Sequence, residues 1–396
     1  MPHTVGIVCE YNPFHRGHLY MLEECRRSFG ADTMLVCALS GDYVQRGEAA
    51  IFDKFTRAEA ACRCGADLVL ELPLPWCVSP AEGFAAGAVS LLAAAGCDTL
   101  AFGSESGDLT ALDRLSDFLL EPSTGAEIRR LMEEDRSLSY ARARQRAAQE
   151  RLGEDARLLS SANDILAVEY LKAVKRNAYP MTALPIRRRG SGHDSQDAGE
   201  FPSAMLLRAA IGRGEDVSAL IPQEARPVFE QTKARIRTDR LETALLSRLL
   251  TLPAERFDTL PDAGGGAGRH LYKALRAGGS LEEVAARATT KGYTESRMRR
   301  MLLCAALGIR AEDGRGVPPY LRALAFNERG RAFLGGGREK RALPTLIKPA
   351  AVRTLGPRCL KIFTIGAEAH DLYRLASSEP SAFKADEDWK RGPAIV

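Results

Sequence analysis

The stretch TVGIVCEYNPFHRGHLYMLEE, residues 4–24, decides the fold of this chain. Its first six residues form an apolar run that predicts a β-strand, and LYMLEECRRSF (19–29) has the apolar spacing of an amphipathic helix. His15 and His18 lie at the turn between the two, in a chain that contains only 6 histidines. The pair is therefore either part of a ligand site at this turn or a pair of surface or capping histidines.

The same alternation of apolar runs and helical patterns continues along the chain. Further strands are predicted at 33–40, 67–73 and 98–105, further helices at 55–65 and 80–96, and a fifth strand at 181–189. The strands are continuously apolar, which indicates burial on both faces and a parallel sheet covered by helices. The sequence therefore predicts an α/β fold built on a doubly wound, Rossmann-like parallel sheet.

A change of pattern near residue 215 predicts a second domain. Helix-like runs follow at 240–252, 268–278 and 294–309. We therefore expect a nucleotide-binding catalytic domain at 1–215 and a mainly α-helical domain at 216–396. Residues 221–350 contain 24 Lys or Arg against 14 Asp or Glu, a net charge of +10. This excess indicates either a surface for a polyanion or helix faces that are merely rich in arginine.

Composition excludes several classes of protein. The longest uncharged stretch near the middle, 84–97, is too short to span a bilayer, and the N-terminus lacks the pattern of a secretory signal peptide. The 9 cysteines are scattered and odd in number, which indicates reduced thiols and a cytoplasmic location. Cys62 and Cys64 have no second Cys/His pair nearby, so they do not predict a zinc site.

The turn that holds His15 and His18 has the features of a phosphate site. Ligands of doubly wound sheets bind at the carboxyl ends of the strands, and a helix that begins here offers backbone N–H groups and a positive dipole end. Gly17 would let the backbone approach the ligand, and the imidazole N–H groups would stabilise charge that develops on phosphate oxygens. G-x-G-x-x-G and Walker A sequences are absent from this turn, which argues against a nicotinamide dehydrogenase and a P-loop kinase.

The motif HRGH (15–18) after a first strand resembles the HxGH signature of the nucleotidylyltransferase superfamily. Members of that superfamily use both histidines to bind ATP phosphates and to activate the α-phosphorus, so the resemblance implies that His15 and His18 are catalytic. A second superfamily element, a serine-rich start of a late helix that ends in arginine, resembles FPSAMLLRAA (201–210). Ser203 and Arg208 are the matching residues there.

Longer strings resemble a single family, the tRNA(Met) cytidine acetate ligases. The strings are GIVCEYNPFHRGHLY (6–20), SGDYVQRGEAAIFDKFTRAEAA (40–61), GADLVLELP (65–73), FGSES (102–106), SANDILAVEYLKAV (161–174), TTKGYTESRMRRMLL (289–303) and PPYLRALAFNERG (318–330). The resemblance implies an ATP-dependent ligase that uses free acetate to form N4-acetylcytidine at the wobble position, C34, of elongator tRNA(Met). It also implies an acetyl-adenylate intermediate, with release of pyrophosphate and then AMP.

The same resemblance implies which residues bind ATP. They are Val8, Cys9, Glu10, Tyr11, Asn12, Pro13, Phe14, His15, Arg16, Gly17, His18, Leu19, Tyr20, Met21, Gly103, Asn163, Arg187 and Arg188. Some have simpler interpretations: Gly103 can end a strand, Asn163 can cap a helix, and the arginines can form a solvated basic run. His193 and Asp194, in the loop that follows, are assigned to the site by the resemblance as well.

Position suggests further contacts with phosphate or acetate for Arg46, which follows the second strand, and for Lys54 and Arg57, which lie on the next helix. The superfamily resemblance implies such contacts for Ser203 and Arg208 of the late helix. Mg²⁺ is expected to accompany the triphosphate, although no carboxylate cluster in the sequence identifies its ligands.

A tRNA substrate would have to present a flipped anticodon base at the cleft while basic residues contact its phosphates. Candidate tRNA-binding residues surround Tyr293 in TKGYTESRMRR, and more arginines follow at 322, 329 and 331; the candidates are Lys291, Arg297, Arg299 and Arg300. Each arginine could instead pack within the protein. No membrane or protein partner is indicated. The alternative function is a metabolic nucleotidylyltransferase acting on a small phosphorylated metabolite, which needs no basic helical extension.

Overall fold

The structure, a computed structural model, describes residues 3–189, 203–232, 235–336, 341–379, 381 and 383–396. Its strands are β1 (Thr4–Cys9), β2 (Met34–Ser40), β3 (Tyr43–Val44), β4 (Glu48–Ala49), β5 (Leu68–Leu72), β6 (Thr99–Ser104), β7 (Thr182–Arg187), β8 (Leu321–Phe326), β9 (Thr345–Leu346) and β10 (Ala394–Ile395).

The helices of the first half are α1 (Arg16–Phe29), α2 (Lys54–Arg63), α3 (Leu74–Cys77), α4 (Ala81–Ala95), α5 (Leu109–Leu120), α6 (Pro122–Glu134), α7 (Tyr140–Leu152), α8 (Ala162–Arg176) and α9 (Ala204–Gly212). Those of the second half are α10 (Arg226–Gln231), α11 (Thr238–Leu250), α12 (Ala254–Asp258), α13 (Ala267–Arg276), α14 (Leu281–Ala288), α15 (Glu295–Ala306), α16 (Glu328–Gly336), α17 (Pro357–Leu375) and α18 (Glu387–Lys390). Short 3₁₀ segments lie at Gly153–Ser160, Ser218–Leu220, Gly264–Gly266 and Pro349–Thr354.

Most of the strands form one central sheet. Across the described residues its order is β10-β8-β5-β2-β1-β6-β7, and β9 pairs with β8. Five neighbouring strands are parallel to one another: β5, β2, β1, β6 and β7. Their carboxyl ends therefore meet at one edge of the sheet. β8 runs antiparallel to β5, while β3 and β4 form a separate hairpin directly after β2. The site described below lies at the edge where the parallel strands end.

Both faces of the sheet are buried, as the continuously apolar strands predicted. Val36 and Ala38 of β2 belong to one hydrophobic cluster, and Leu35, Cys37 and Leu39 belong to the other. Successive side chains of a strand point to opposite faces, so helices must cover both sides. The first cluster extends from the sheet into helices α11 to α15, which therefore share a continuous hydrophobic core with it.

The predicted fold class is confirmed, and β1, β2, β5, β6 and β7 lie where strands were predicted. Three strands from beyond residue 320, β8, β9 and β10, complete the same sheet, which the sequence pattern did not predict. The six-residue run LRALAF of β8 is apolar apart from one arginine, and periodicity alone cannot distinguish a buried strand of that length from helix. The division into domains at residue 215 stays a prediction.

All nine cysteines are free thiols and are buried, in line with the expectation of reduced cysteines that pack as small hydrophobic side chains. Among the described residues, none of the helices is long and apolar enough to cross a membrane.

Candidate active site

The HRGH turn is a helix cap built from its own histidines. His15 is the N-cap of α1, and its Nδ1 accepts the backbone N–H of Gly17 at 3.0 Å. In return, His18 Nδ1 accepts the backbone N–H of His15 at 3.3 Å, so the two rings form a reciprocal capping box. The ring centroids are 3.8 Å apart and the rings are stacked. A local network of hydrogen bonds therefore holds both imidazoles in place.

Gly17 lies close to the ring of its neighbour in the turn. A Cβ atom on Gly17 would lie 2.9 Å from His15 Cε1, so the glycine makes room for the ring, and its approach to a ligand stays a prediction. The backbone N–H groups of Gly17 and His18 are also already used, the latter by the His15 carbonyl at 2.9 Å. The expectation that free amides form the phosphate seat is therefore wrong for these two groups, and the imidazoles remain as the donors.

The hydrogen bonds assign the tautomer of both rings. Because each Nδ1 accepts a hydrogen bond, the proton of each neutral ring lies on Nε2, which can donate. Burial and, to a smaller extent, the charges of Arg188 and Arg208 lower the pKa of His15 to about 3. Burial, His15 and Arg188 hold the pKa of His18 well below its usual range. Two neutral Nε2–H donors in an arginine-rich environment are well placed to bind phosphate oxygens.

A cavity of about 560 Å³ opens at the carboxyl edge of the parallel strands. Its volume lies within the range of about 300–1,000 Å³ that is typical of small-molecule sites. Sequence-predicted residues that line it are Val8, Cys9, Glu10, Tyr11, His18, Met21, Arg46, Gly103, Asn163 and Arg188. Gly103 lies in the wall, where an added Cβ would meet Met21 at 3.4 Å and Arg188 at 3.5 Å. We call this cavity the cleft.

A recess of about 130 Å³ adjoins the cleft and shares Glu10, Arg46, Asn163 and Arg188 with it. Further predicted residues that line the recess are Asn12, His15, Ser203 and Arg208. Arg208 donates to the Asn12 carbonyl at 2.9 Å, and Ser203 caps α9 by accepting the Leu206 N–H at 3.2 Å. Arg187 lies near the turn as well, in a smaller pocket with His15 and Gly17. The recess thus gathers positive charge next to the imidazoles, where a polyphosphate or a carboxylate could bind.

The FGSES and SAND motifs hold each other at the end of β6. The Asp164 carboxylate accepts from Ser104 Oγ at 2.5 Å and from the Glu105 N–H at 3.1 Å. The Glu105 carboxylate accepts from Asn163 Nδ2 at 2.6 Å and from the Asp164 N–H at 3.0 Å. The N-cap of α8 is Ser161, so Asn163 is not the cap of that helix. These bonds fix Asn163 in the wall of the cleft.

Lys54 does not lie at the cleft. Its side chain is 1% exposed, and its Nζ donates to Glu71 at 2.7 Å and to Asp388 at 2.8 Å. Arg322 of β8 donates to the same two carboxylates, at 2.9 and 2.7 Å. The expectation of a phosphate contact for Lys54 is wrong because β5 and α18 bring the compensating carboxylates to it. Arg322 is likewise too buried to meet a tRNA.

Arg57 is also internal. It donates to the carbonyls of Phe52 at 2.9 Å and Glu10 at 2.5 Å, and to that of Gly41. It therefore ties together the chain segments that follow β1 and β2, and it cannot reach pyrophosphate without breaking them. Glu10, whose carboxylate accepts the Gln45 N–H at 2.8 Å, faces the cleft, and burial raises the pKa of Glu10.

The rest of the predicted ATP segment has mixed positions. Pro13 and Phe14 are buried beneath the turn, and neither lines the cleft or the recess. Arg16, Leu19 and Tyr20 line a separate surface cavity on the outer side of α1. His193 and Asp194 lie outside the described residues.

The predicted tRNA-binding residues divide into two groups. Arg297 donates to the Asp262 carbonyl, Arg299 pairs with Glu295 at 2.6 Å, and Lys291 donates to the Arg136 carbonyl. Arg300 differs from them because it lines the cleft.

Sequence reasoning missed the apolar side of the cleft. Its members come from β1, β6, α4 and α8; they are Ile7, Ala81, Phe84, Phe102, Ala162, Ile165, Leu166 and Tyr170. Helical periodicity alone assigns such residues to the core. Their position near the N-terminal ends of helices that face the carboxyl edge of the sheet was the signal that could have found them.

Comparisons with known proteins agree with this geometry. The model of the HIGH Nucleotidyl Transferase family matches residues 2–388. The tRNA(Met) cytidine acetate ligase of Syntrophotalea carbinolica is 37% identical over 90% of this chain and 88% of its own length. The enzyme of the same name from Acetivibrio thermocellus is 30% identical over 99% of this chain and 100% of its own.

Crystal structures of Thermotoga maritima TmcAL are similar to the whole chain. The apo form has a TM-score of 0.92 and 27% identity, and it covers 100% of this chain and 99% of its own. The form bound with alpha-thio ATP has a TM-score of 0.90 and 28% identity, with the same coverage.

A parallel sheet with an HxGH turn at its carboxyl edge defines the class: the chain belongs to the HIGH nucleotidyl transferase family. The chain is also 30–37% identical, over most of its length, to proteins that share a single name, and this similarity identifies the family within the class. Within that class, the chain is a member of the tRNA(Met) cytidine acetate ligase family.

Proposed function

We propose that this chain is an ATP-dependent carbon–nitrogen ligase that forms N4-acetylcytidine at C34 of elongator tRNA(Met) from acetate and ATP. The observation that carries the proposal is the pair of stacked, neutral imidazoles, His15 and His18, beside Arg188 and Arg208 at the mouth of the cleft. The names of the relatives supply the reaction, and the ATP analogue bound to the Thermotoga maritima structure supports the nucleotide.

In the first step, an acetate oxygen attacks the α-phosphorus of ATP, the bond to the bridging oxygen of pyrophosphate breaks, and acetyl-adenylate forms. Negative charge builds on the phosphate oxygens in this transition state. The Nε2–H groups of His15 and His18 would donate to those oxygens, while Arg188, Arg208 and Arg46 supply positive charge from the cleft and the recess. Neither histidine has to form a covalent bond or to gain a proton.

In the second step, the N4 amine of the cytidine attacks the acetyl carbonyl, AMP leaves, and the amine loses a proton. The base must leave its stack to reach the cleft, so the polynucleotide has to bind outside it. The basic region 221–350 is the part of the chain with the charge to hold the tRNA phosphates. The free thiols of all nine cysteines support the cytoplasm as the location.

Mg²⁺ would accompany the triphosphate and neutralise part of its charge. Among the described residues no group of three or more His, Cys, Asp or Glu side chains could hold a metal ion. Phosphate oxygens and water would therefore supply most of the ligands of the magnesium ion. Among the described residues, Glu10 is the carboxylate that lines the cleft and would be available to it.

The decisive experiment incubates the protein with ATP, labelled acetate and bulk tRNA. Label in tRNA that appears as N4-acetylcytidine, together with AMP and pyrophosphate, supports the proposal. Pyrophosphate release that depends on another small metabolite would instead support the metabolic nucleotidylyltransferase, which the names of the relatives do not favour. Tight RNA binding without turnover would contradict both.

A further inference from the structure

Arg300 brings the helical region into the cleft. It lies on α15, and it lines the cleft together with Ser296 of the same helix. The helix is held there by the β3–β4 hairpin: a Cβ on Gly47 would lie 2.8 Å from the backbone nitrogen of Arg300, and Arg299 pairs with Glu48 at 3.3 Å. The position of Arg300 is therefore set by its backbone rather than by its own side-chain contacts.

The guanidinium of Arg300 is buried without adequate partners. The residue is 8% exposed, and its Nε has no hydrogen-bond partner within the part of the chain that the structure describes. Its closest acidic group, Asp262, lies 4.0 Å away, beyond hydrogen-bond distance. Burial lowers the pKa of Arg300. An unsatisfied buried donor is costly, and Arg300 differs from the other buried groups of this kind because it lines the cleft, where a ligand would complete it.

The surroundings of Arg300 distinguish between the possible ligands. Arg188, Arg208 and Arg46 already provide positive charge for polyphosphate and acetate next to the imidazoles. The cleft that Arg300 lines has aromatic and aliphatic walls, including Phe84, Phe102 and Tyr170. The apolar walls beside the Arg300 guanidinium fit a flat heterocycle that has acceptors on one edge better than a second anion.

We propose that Arg300 binds the acceptor base, with its guanidinium donating to O2 and N3 of the cytosine of C34. This inference rests on the proposed function. Cytosine presents two acceptors, O2 and N3, beside its N4 amine, and the two parallel N–H groups of a guanidinium match adjacent acceptors. The N4 amine then remains unbound and can attack the acetyl carbonyl. Uracil carries N–H at N3 and would place a donor against a donor, so Arg300 selects cytosine.

The test uses Arg300→Met, which keeps the length and apolar character of the side chain but removes all donors, and Arg300→Lys as a second variant. Arg129→Ala is the control for loss of one positive charge, because Arg129 is exposed on α6, outside the basic region 221–350, and does not line the cleft. Three quantities are measured: acetate-dependent exchange of pyrophosphate into ATP, acetyl transfer to a C34 tRNA transcript, and the ratio of Kd values for U34 and C34 transcripts. Melting temperatures report the fold.

Arg300→Met is expected to leave exchange and the acetate KM within about twofold of wild type while transfer falls roughly ten- to hundredfold. The U34/C34 ratio should fall towards one, and the melting temperature should stay equal or rise because the unsatisfied donor is gone. Arg129→Ala should change none of these quantities.

Several results would overturn the inference. A raised acetate KM or lost exchange would make Arg300 a residue of the first step. A lowered melting temperature with unchanged transfer, in both Arg300→Met and Arg300→Lys, would make it structural. A wild-type U34/C34 ratio near one would remove the selection of cytosine. Wild-type protein that exchanges pyrophosphate but never acetylates tRNA would contradict the proposed function instead.

Discussion

His370 Nδ1 lies 2.8 Å from Asp42 Oδ2, and both side chains are closed to solvent. Burial would lower the pKa of His370, but its contacts with Asp42 and Glu387 raise it to about 10. Asp42 also accepts the backbone N–H of Lys54 at 2.9 Å, so the pair joins α17 to the segment after β2 that carries Gln45 and Arg46 into the cleft. A charged contact made by the last third of the chain thus supports one wall of the site.

The first prediction is a loss of stability at alkaline pH. In the unfolded chain His370 has a pKa near 6.5, and in the folded protein about 10. The stabilisation is therefore complete below pH 6.5 and is lost as the pH rises through 10. Urea unfolding should show that His370→Gln costs about 3–5 kcal/mol at pH 6.5, as expected for a broken buried pair, and much less at pH 10. A cost that does not change with pH would contradict the assignment.

The second prediction concerns the protonation of His15 and His18. Both folded pKa values lie below the unfolded value of 6.5, that of His15 at about 3. The unfolded chain therefore binds protons that the folded chain does not, and folded stability decreases as the pH falls from 6.5 towards 3. Imidazole NMR signals of the two residues should not shift between pH 5 and 8 in the folded protein. The same residues in urea serve as the control and should titrate normally; titration near 6.5 in the folded state would contradict the buried, neutral pair.

The third prediction tests how α15 is held at the cleft. Gly47 and Gly278 both have φ +81°, but only at Gly47 would a Cβ meet a backbone atom of α15, at 2.8 Å, while nothing lies within 4 Å at Gly278. Gly278→Ala should lower the free energy of unfolding by about 1–2 kcal/mol, the cost of left-handed backbone for a residue with a Cβ atom. Gly47→Ala should cost more, and it should also lower acetyl transfer because Arg300 moves. Equal losses of stability in the two variants would mean that the hairpin does not fix the helix.

The fourth prediction concerns the basic region. If it binds tRNA phosphates, log K should decrease linearly with log salt, with a slope of about −0.7 to −0.9 for each phosphate contact. Arg297→Ala should leave this slope nearly unchanged, because the guanidinium of Arg297 is already bonded to carbonyl groups. Affinity that does not respond to salt would contradict a polyanion surface.

The sequence predicted the local features of the site and missed the distant ones. The HRGH turn and the parallel strands could be predicted from the sequence, because a helix start and a buried strand each depend on residues that are close together in the chain. Lys54 was misplaced because its partner Asp388 is 334 residues away, and no local pattern reports such a neighbour. The contact between Gly17 and the His15 ring was not predicted, because it depends on the rotamer of His15, which a sequence does not give.

Basic residues were the hardest to interpret from sequence. Three of the four consecutive residues 297–300 are arginines, and the fourth is Met298. Of these three arginines, Arg300 alone lines the cleft. Which arginine does so depends on the rotation of α15 against the β3–β4 hairpin, a tertiary contact. The excess of positive charge was visible in the sequence, but its distribution between surface, ion pairs and cleft was not.

The central claim is that His15 and His18 activate the α-phosphorus of ATP for attack by acetate, and pyrophosphate exchange with His18→Ala tests it most directly. His3→Ala is the matched control, since His3 lies at the start of β1 and does not line the cleft. The account predicts that His18→Ala lowers acetate-dependent exchange by about 100- to 1,000-fold, as for loss of a donor to a developing oxyanion, while tRNA affinity stays near that of wild type. Exchange at the wild-type rate, or an equal loss of exchange and tRNA affinity, would contradict it.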